Sequence, residues 1–425
     1  MTAEVAILNK MGVALAADSA VSIGGSGKVY NSANKLFALS KKHPVGIMIY
    51  GNAHFMSVPW EVVIKHYRNN FLKDKSFSLL EDYADDFVNF LKTTNIFPEE
   101  NEILYVRQHC LMVLKGIEKK LKQDMDLFFA GSGGKQFTRA QILREMRLIV
   151  NNWLIKEASS TQKLISTPLS LKAKIIKKHS KSISDLLSSF FKSSLKLNLS
   201  KKLVLDLTDV VFKRIFSDVF FFSSTGVVFA GFGDDQIYPS LFRLKIEGRV
   251  ESLLRVQNYD VKDISSSNSA AIMPFAQHEM VDTFMCGIDP EYKKAILNGL
   301  EEQCKEVKTD IMPSLGITLT VAQEAKLDAL ISAKEKAISE ALKKVERKHF
   351  VDPVLDSVGA LPLDELAAMA EALVNLTSFK RRVTMVPESV GGPIDVAVIS
   401  KGDGFIWINR KHYFKPDLNQ NFFNR

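Results

Sequence analysis

The sequence predicts a mixed α/β (α+β) protein in which helices cover β-sheets, and three observations lead to this fold class. Short runs of apolar, β-capable residues bounded by turn residues occur near the start, in the middle and at the end of the chain. Longer stretches with helical spacing of apolar residues separate these runs. This order fits sheets with two helical insertions better than it fits separate domains.

The first strands form a predicted hairpin. The runs "AEVAIL" and "VALAA" flank the turn-rich quartet "NKMG". If Leu8 pairs with Val13, Asp18 returns opposite Ala3, beside Thr2. The runs "KLFAL" and "VGIMIYG" are the next predicted strands. The hairpin therefore places a carboxylate next to the start of the chain.

Helices and strands then alternate. Helices are predicted over about 55–70, 78–95 and 363–381, and mostly helical stretches over 97–222 and 277–350. Strand character returns in "TGVVFAGFG", "SLFRLKIEG" and "RVESLLRVQ". The last runs, "PIDVAVIS" and "FIWI", flank a "KGDG" turn and predict a closing hairpin.

These patterns divide the chain into five segments. Residues 1–96 form the first part of the core, and 97–222 are a lysine-rich helical insertion. Residues 223–287 carry the middle strands, and 288–360 are a second helical insertion. Residues 361–425 hold the last helix and the closing hairpin.

Composition excludes several classes of protein. The chain has 425 residues, 46% of them apolar, but no run of eighteen apolar residues, so no membrane span is predicted. An acid at Glu4 with no Lys or Arg before it argues against a signal peptide. Cys110, Cys286 and Cys304 are widely spaced, which predicts reduced thiols and a cytoplasmic location.

The net charge of +8 is concentrated in one window. Residues 163–202 contain ten lysines and one acid, Asp185. The window has no arginine, and its aromatic residues are the adjacent Phe190 and Phe191, so nucleic-acid binding is not predicted. A solvated amphipathic face is the favoured interpretation, and an acidic partner or a membrane surface is the alternative.

No cofactor or metal is predicted. "GGSGK" and "GSGGK" lack both the leading glycine and the Ser or Thr of a phosphate-binding loop. The eight histidines show no ligand spacing with Cys or carboxylates. No Gly-x-Ser-x-Gly elbow is present.

Thr2, Asp18 and Lys35 supply the parts of an N-terminal nucleophile. A threonine hydroxyl needs a base, and the free amine of the same residue serves as one once Met1 is removed, which a small second residue permits. A nearby lysine lowers the pKa of that amine by like-charge repulsion, and an aspartate holds the lysine charged. Asp18 is placed by the hairpin, and Lys35 leads the run "KLFAL".

The stretch "MTAEVAILNKMGVALAADS", with "KLFAL" and "IMIYGNA", resembles the start of the proteasome β-subunit family of N-terminal nucleophile (Ntn) hydrolases. The absence of a propeptide resembles the HslV-type and Anbu-type bacterial relatives. "GVVFAGFGDDQIYPSLFRLKIEG" and "VGGPIDVAVISKGDGFIWI" resemble the family's middle strands and closing hairpin, so about half of the chain is covered in three blocks. The resemblance implies a four-layer αββα Ntn-hydrolase sandwich with two helical insertions.

The resemblance also implies roles for four residues. Thr2 would be the nucleophile with its own amine as base, Asp18 would orient Lys35, Lys35 would tune the amine, and the Gly51 N–H would be the oxyanion donor. Lys35 lies one residue later than in the family pattern, which a loop must absorb.

Two regions depart from that family pattern. "SAAIMPFAQH" contains no Gly-Ser-Gly strand end. In "VPESVGG", Glu388 and Ser389 are the candidates to replace the family's second Asp/Ser pair.

The first substrate pocket would be apolar. By position, Val21, Ala33, Ile49 and Ala53 would line it, which predicts cleavage after hydrophobic residues.

The sequence therefore predicts a threonine peptidase that acts on a peptide or protein substrate and assembles as a homo-oligomer. Noncatalytic α-type subunits of that family carry a helical extension before the first strand, so a first strand predicted to begin at residue 3 favours a β-type, working terminus. Two alternatives stay open. One is a noncatalytic assembly or binding module that works through its basic helices, and the other is an Ntn amidase acting on a small molecule.

Overall fold

The computed structural model describes residues 2–22, 28–131, 133–160, 163–306, 310, 314–316, 319–384 and 390–419. Within them the chain is α+β with antiparallel sheets, as the sequence predicts. The strands are β1 (Ala3–Asn9), β2 (Gly12–Ala17), β3 (Val21–Ser22), β4 (Val29–Tyr30), β5 (Leu36–Ala38), β6 (Val45–Gly51), β7 (His54–Phe55), β8 (Val58–Pro59), β9 (Thr225–Gly231), β10 (Ser240–Val250), β11 (Leu253–Asp263), β12 (Ala270–Ala276), β13 (Asp395–Ser400) and β14 (Gly404–Asn409).

The helices occupy three parts of the chain. They are α1 (Trp60–Tyr67), α2 (Leu80–Thr93), α3 (Glu99–Ala130), α4 (Arg139–Ser159), α5 (Leu169–Ser193), α6 (Lys201–Phe216), α7 (Glu279–Cys286), α8 (Pro290–Glu306), α9 (Val321–Glu346), α10 (Asp352–Val358) and α11 (Leu363–Val383). None of these helices is long and apolar enough to cross a membrane.

Two five-stranded sheets form the centre of the fold. The first has the order β12-β1-β2-β13-β14, and the second has the order β11-β10-β9-β6-β5. In the first sheet Leu8 pairs with Val13, which confirms the predicted register of the opening hairpin. The Asp18 N–H consequently donates to the Ala3 carbonyl oxygen at 3.1 Å.

Three clusters of buried apolar side chains hold these elements together. One contains residues of both sheets, such as Leu8 and Leu15 from the first and Met48 and Val228 from the second. A second cluster combines the second sheet with α1 to α6. The third combines the first sheet with α7, α10 and α11. Each Val, Leu, Ile, Phe or Met side chain that is fully buried in this way contributes about 1.5–3 kcal/mol to folding.

One predicted helix begins later than the sequence indicated. The stretch 55–70 opens with the hairpin β7–β8, and α1 begins at Trp60. Pro59 occupies the N-cap position with an extended ψ of 134°, because a proline fixes its own φ and lacks the N–H that a helix interior needs. The chain continues beyond α1 as a π-helical turn over Arg68–Leu72.

Candidate active site

A pocket of about 150 Å³ lies where β1, β5 and β6 approach one another. Its lining includes three residues to which the sequence assigned chemistry, Thr2, Lys35 and Gly51. The four residues assigned to an apolar first pocket line it as well: Val21, Ala33, Ile49 and Ala53. The fold thus brings together residues that are up to 51 positions apart in the chain.

The backbone of Thr2 is tied to the chain at the end of β12, the strand that neighbours β1 on one side. Its carbonyl oxygen accepts a hydrogen bond from the Gln277 N–H at 3.1 Å, just past the end of β12. The residue is 6% exposed, and its hydroxyl oxygen has no hydrogen-bond partner among the described residues. No internal hydrogen bond among the described residues therefore competes for the proton of this buried hydroxyl.

Asp18 and Lys35 form a buried ion pair beneath the pocket. Lys35 Nζ lies 2.5 Å from Asp18 Oδ1, and the two side chains are 5% and 0% exposed. The carboxylate also accepts backbone N–H bonds from Ala3 at 3.1 Å, Ala20 at 3.2 Å and Gly391 at 3.0 Å. These four donors compensate the carboxylate for the water lost on burial, which a buried ion pair requires.

Lys35 is fixed by its backbone as well as by Asp18. It lies directly before β5, and its carbonyl oxygen accepts the Ile49 N–H at 2.9 Å. The lysine therefore reaches the pocket from a sheet edge rather than from a loose loop. A side chain held in this way keeps its charge at a constant position.

Gly51 ends β6 in a conformation that favours glycine. Its φ is +89°, and a Cβ at this position would lie 2.5 Å from the Ser224 carbonyl oxygen. Gly51 pairs with Thr225 of β9, so its backbone is locked to the second sheet. The pocket wall is consequently bare backbone at this residue.

The sequence interpretation missed Glu4. It is fully buried in β1, and neither carboxylate oxygen has a hydrogen-bond partner among the described residues. Burial raises the pKa of Glu4 well above its ordinary value, the Lys35 ammonium opposes that increase, and Asp18 adds to it. The sequence did contain a signal for this residue, because Glu4 is an acid within an apolar strand. It lies two residues after Thr2, so the two side chains point to the same face of that strand.

Polar residues at the rim of the pocket carried no sequence signal. The Asn34 side-chain amide donates to Glu61 Oε1 at 3.1 Å, and Lys65 Nζ lies 2.5 Å from the same oxygen. His54 also lines the pocket. The contact between Asn34 and Glu61 depends on α1 approaching the segment before β5, which local patterns do not reveal.

Two of the predicted site residues, Glu388 and Ser389, fall outside the described residues. Among the residues that are described, no cluster of three or more His, Cys, Asp and Glu side chains has the arrangement of a metal site.

Part of the lysine-rich window binds acids of this same chain. Lys178 Nζ lies 2.9 Å from Glu99, 3.0 Å from Glu102 and 2.9 Å from Glu251. Lys174 Nζ lies 2.8 Å from Glu251. These lysines join α5 to α3 and to the β10–β11 turn.

Comparison with known proteins yields neither a matching family model nor a significant match among curated proteins. Solved structures of Anbu do align. Anbu from Hyphomicrobium sp. strain MC1 gives a TM-score of 0.30 at 9% identity, covering 100% of this chain and 94% of that one. Anbu (ancestral beta-subunit) from Yersinia bercovieri gives a TM-score of 0.27 at 9% identity, covering 99% of this chain and 93% of that one. The helical assembly of the Anbu complex from Pseudomonas aeruginosa gives a TM-score of 0.28 at 9% identity, covering 99% of this chain and 92% of that one. Likeness at this level transfers no function to the chain.

Proposed function

We propose that this protein is a proteasome-like threonine peptidase with the four-layer αββα sandwich of Ntn hydrolases. The observation that carries the proposal is the meeting of Thr2, the buried Asp18–Lys35 pair and Gly51 at one pocket. In this proposal 97–222 and 288–360 are insertions between 1–96, 223–287 and 361–425.

Thr2, freed of Met1, carries the nucleophile and its base on one residue. The amine takes the hydroxyl proton as Oγ1 attacks the substrate carbonyl carbon. The Lys35 ammonium, held by Asp18, keeps the amine neutral by like-charge repulsion. The Gly51 N–H donates to the oxyanion, a term that is often worth about 3 kcal/mol.

The remaining steps return the enzyme to its starting state. The C–N bond breaks, and the leaving amine receives the proton that the Thr2 amine holds. Water then attacks the ester on Oγ1, giving up its proton to the same amine, and the Thr2 hydroxyl is regenerated as the acid product leaves. Glu388 and Ser389 are the candidates to assist these proton transfers.

Pocket lining supports a preference for hydrophobic residues before the cleaved bond. Val21, Ala33, Ile49 and Ala53 offer the substrate aliphatic surface. A panel of fluorogenic peptides tests this preference, and higher kcat/KM for basic or acidic residues would contradict it.

The proposal extends to the setting of the enzyme. Cys110, Cys286 and Cys304 are free thiols, which fits a reducing compartment, proposed to be the cytoplasm. We also propose that the chain assembles with copies of itself, as the resemblance to β-subunits implies. An acidic partner would bind the lysines of 163–202 that form no ion pair with an acid among the described residues.

The decisive experiment is the intact mass of the protein with and without a peptide epoxyketone, a reagent that captures a hydroxyl together with a neighbouring amine. We expect loss of Met1, one adduct mapped to Thr2, and no adduct in Thr2→Ala. Thr2→Ser should retain labelling, and Thr93→Ala, an exposed threonine of α2, serves as the matched control. Retention of Met1, or a chain that refuses the reagent, would favour the noncatalytic module instead. An adduct at Thr2 without hydrolysis of any peptide would favour the small-molecule amidase.

A further inference from the structure

A second, larger cavity of about 510 Å³ adjoins the candidate active site. Asn52 and His54 line both spaces, so the two form one continuous surface. The far wall of the larger cavity comes from α3, through Asn101, Leu104 and Gln108. The first helical insertion therefore reaches the neighbourhood of Thr2.

Asn52 is held in place between the two cavities. The Thr225 hydroxyl donates to the Asn52 carbonyl oxygen at 2.7 Å, and the Trp60 indole N–H donates to that hydroxyl at 2.8 Å. Trp60 is fully buried at the start of α1. The boundary between the cavities is therefore built on rigid core elements.

The inner wall of the larger cavity is polar, and the carboxylate in it is paired within the protein. Its acid, Glu247, forms an ion pair with Arg255 at 2.5 Å, and both side chains are 0% exposed. Glu247 also accepts the Tyr105 hydroxyl at 3.0 Å and the Phe222 N–H at 2.6 Å. None of the described lining residues is a lysine or an arginine. A charged ligand would therefore find neither a lysine, an arginine nor an unpaired carboxylate among these described residues.

The hairpin between the cavities is strained and is held by the insertion. Met56 and Ser57, at its tip, have φ values of +47° and +62°, where residues other than glycine are uncommon. The Asn101 side-chain amide donates to the Met56 carbonyl oxygen at 2.7 Å, and the Arg249 N–H donates to Met56 Sδ at 3.3 Å. Strained backbone of this kind clusters at ligand-binding sites.

From this geometry we infer that α3 supplies a second substrate subsite, which binds an uncharged, hydrogen-bonding stretch of an extended peptide. The inference rests on the proposed peptidase function. Gln108, Ser57 and Ser223 offer exposed amide and hydroxyl groups to a peptide backbone, while Leu104 offers apolar surface. The cavity has more than three times the volume of the pocket at Thr2, so it has room for more than one residue.

The test compares two reporters on three proteins. One reporter is acetyl-leucine coumarin amide, and the other is a quenched fluorescent octapeptide with leucine before the cleaved bond and glutamine at the flanking positions. The proteins are the wild type, Leu104→Trp and Leu127→Trp. Leu104 and Leu127 both belong to α3 and are 49% and 71% exposed, but Leu127 does not line the cavity.

We expect Leu104→Trp to lower kcat/KM for the octapeptide at least fivefold, mainly by raising KM, and to leave the short reporter unchanged. Leu127→Trp should match the wild type on both reporters. Replacing the flanking glutamines by lysine or glutamate should lower wild-type kcat/KM about tenfold.

Failure of the subsite and failure of the peptidase are distinguishable. If the epoxyketone labels Thr2 but Leu104→Trp cleaves both reporters like the wild type, the subsite is wrong and the peptidase stands. If Thr2 is not labelled, octapeptide binding is measured by fluorescence anisotropy instead. Fivefold weaker binding by Leu104→Trp would then support the subsite without the peptidase, and equal or absent binding by all three proteins would overturn it.

Discussion

Two helical regions, residues 99–216 and 290–346, relate to the rest of the chain in opposite ways. In the first, α3 to α6 share a buried cluster with the second sheet, and α5 alone buries Ile175, Ile183, Leu187 and Phe191. In the second, α8 and α9 bury no side chain among their described residues. The first region is part of the core, whereas the second is appended to it.

One polar contact from each region illustrates a difference in exposure. Glu102 of the first region binds His179 at 2.9 Å and the Glu251 N–H at 2.7 Å, with its own side chain 11% exposed. In the second region Lys305 and Glu301 form a pair at 2.5 Å whose side chains are 66% and 48% exposed. Helical spacing alone does not distinguish a helix that builds the core from one that lies on it.

The largest expected contrast is in apolar packing. Leu187→Ala, in α5, should lower the free energy of unfolding by about 3 kcal/mol, because Leu187 is fully buried and its removal leaves a cavity. Leu330→Ala, in α9, should change it by less than about 0.5 kcal/mol, because Leu330 is 53% exposed. Urea unfolding of the two variants measures both. Equal losses would show that α9 is covered in the assembled protein.

Glu102 provides a second contrast between the two helical regions, because its contribution to stability depends on whether its carboxyl group is ionised. Burial acts to raise its pKa, but hydrogen bonds from His179, the Glu251 N–H and Lys178 outweigh burial and lower it to about 2. Its ionised form therefore stabilises the fold above the unfolded pKa of about 4.3, and that stability is lost as pH falls from there towards 2.

Glu102→Gln should cost about 2 kcal/mol at pH 7 and less at pH 3. Glu340→Gln, at an exposed position of α9, is the matched control and should follow the wild type. Thermal unfolding between pH 7 and pH 3 measures the difference. A loss for Glu102→Gln that does not change with pH would contradict the assignment.

Glu4 is a buried acid in β1, outside both helical regions, and its effect on stability can be tested separately. Its raised pKa means that folding binds a proton, so its contribution to stability decreases as pH rises above about 4.3. Glu4→Gln keeps the shape and stays neutral, so its melting temperature should exceed that of the wild type at pH 9 and converge with it at pH 5. Parallel melting profiles of the two proteins would mean that Glu4 is ionised in the fold.

Thiol reactivity should separate the regions without any mutation. Burial raises the pKa of the Cys110 thiol in α3 to about 12, and Cys110 is fully buried. Cys304 in α8 is half-buried, and so is Cys286, whose pKa is raised by burial and then by Glu346 and Asp282. Iodoacetamide at pH 8 should modify Cys304 first, Cys286 more slowly, and Cys110 only in denaturant, as peptide mass mapping will show.

Local sequence patterns predicted the parts of the site that depend on one hairpin and its neighbours. The "NKMG" turn set the register of Leu8 with Val13, and that register placed Asp18. Contacts made across the fold left no local pattern. The Glu247–Arg255 pair joins β10 to β11 and to the end of α6, and the hairpin at Met56 is shaped by α3. The burial of Glu4 likewise depends on strands from three parts of the chain.

The bond from the Gly391 N–H to Asp18 spans 373 residues, and β13, the strand that follows Gly391, pairs with β2. A ribosome adding about 5–20 residues per second needs roughly 20 to 75 seconds to cover that distance. During this interval a nascent chain has Thr2 and Asp18 but lacks the strand that completes the surroundings of the carboxylate. A growing chain therefore lacks the third backbone donor to Asp18 until synthesis has passed residue 391.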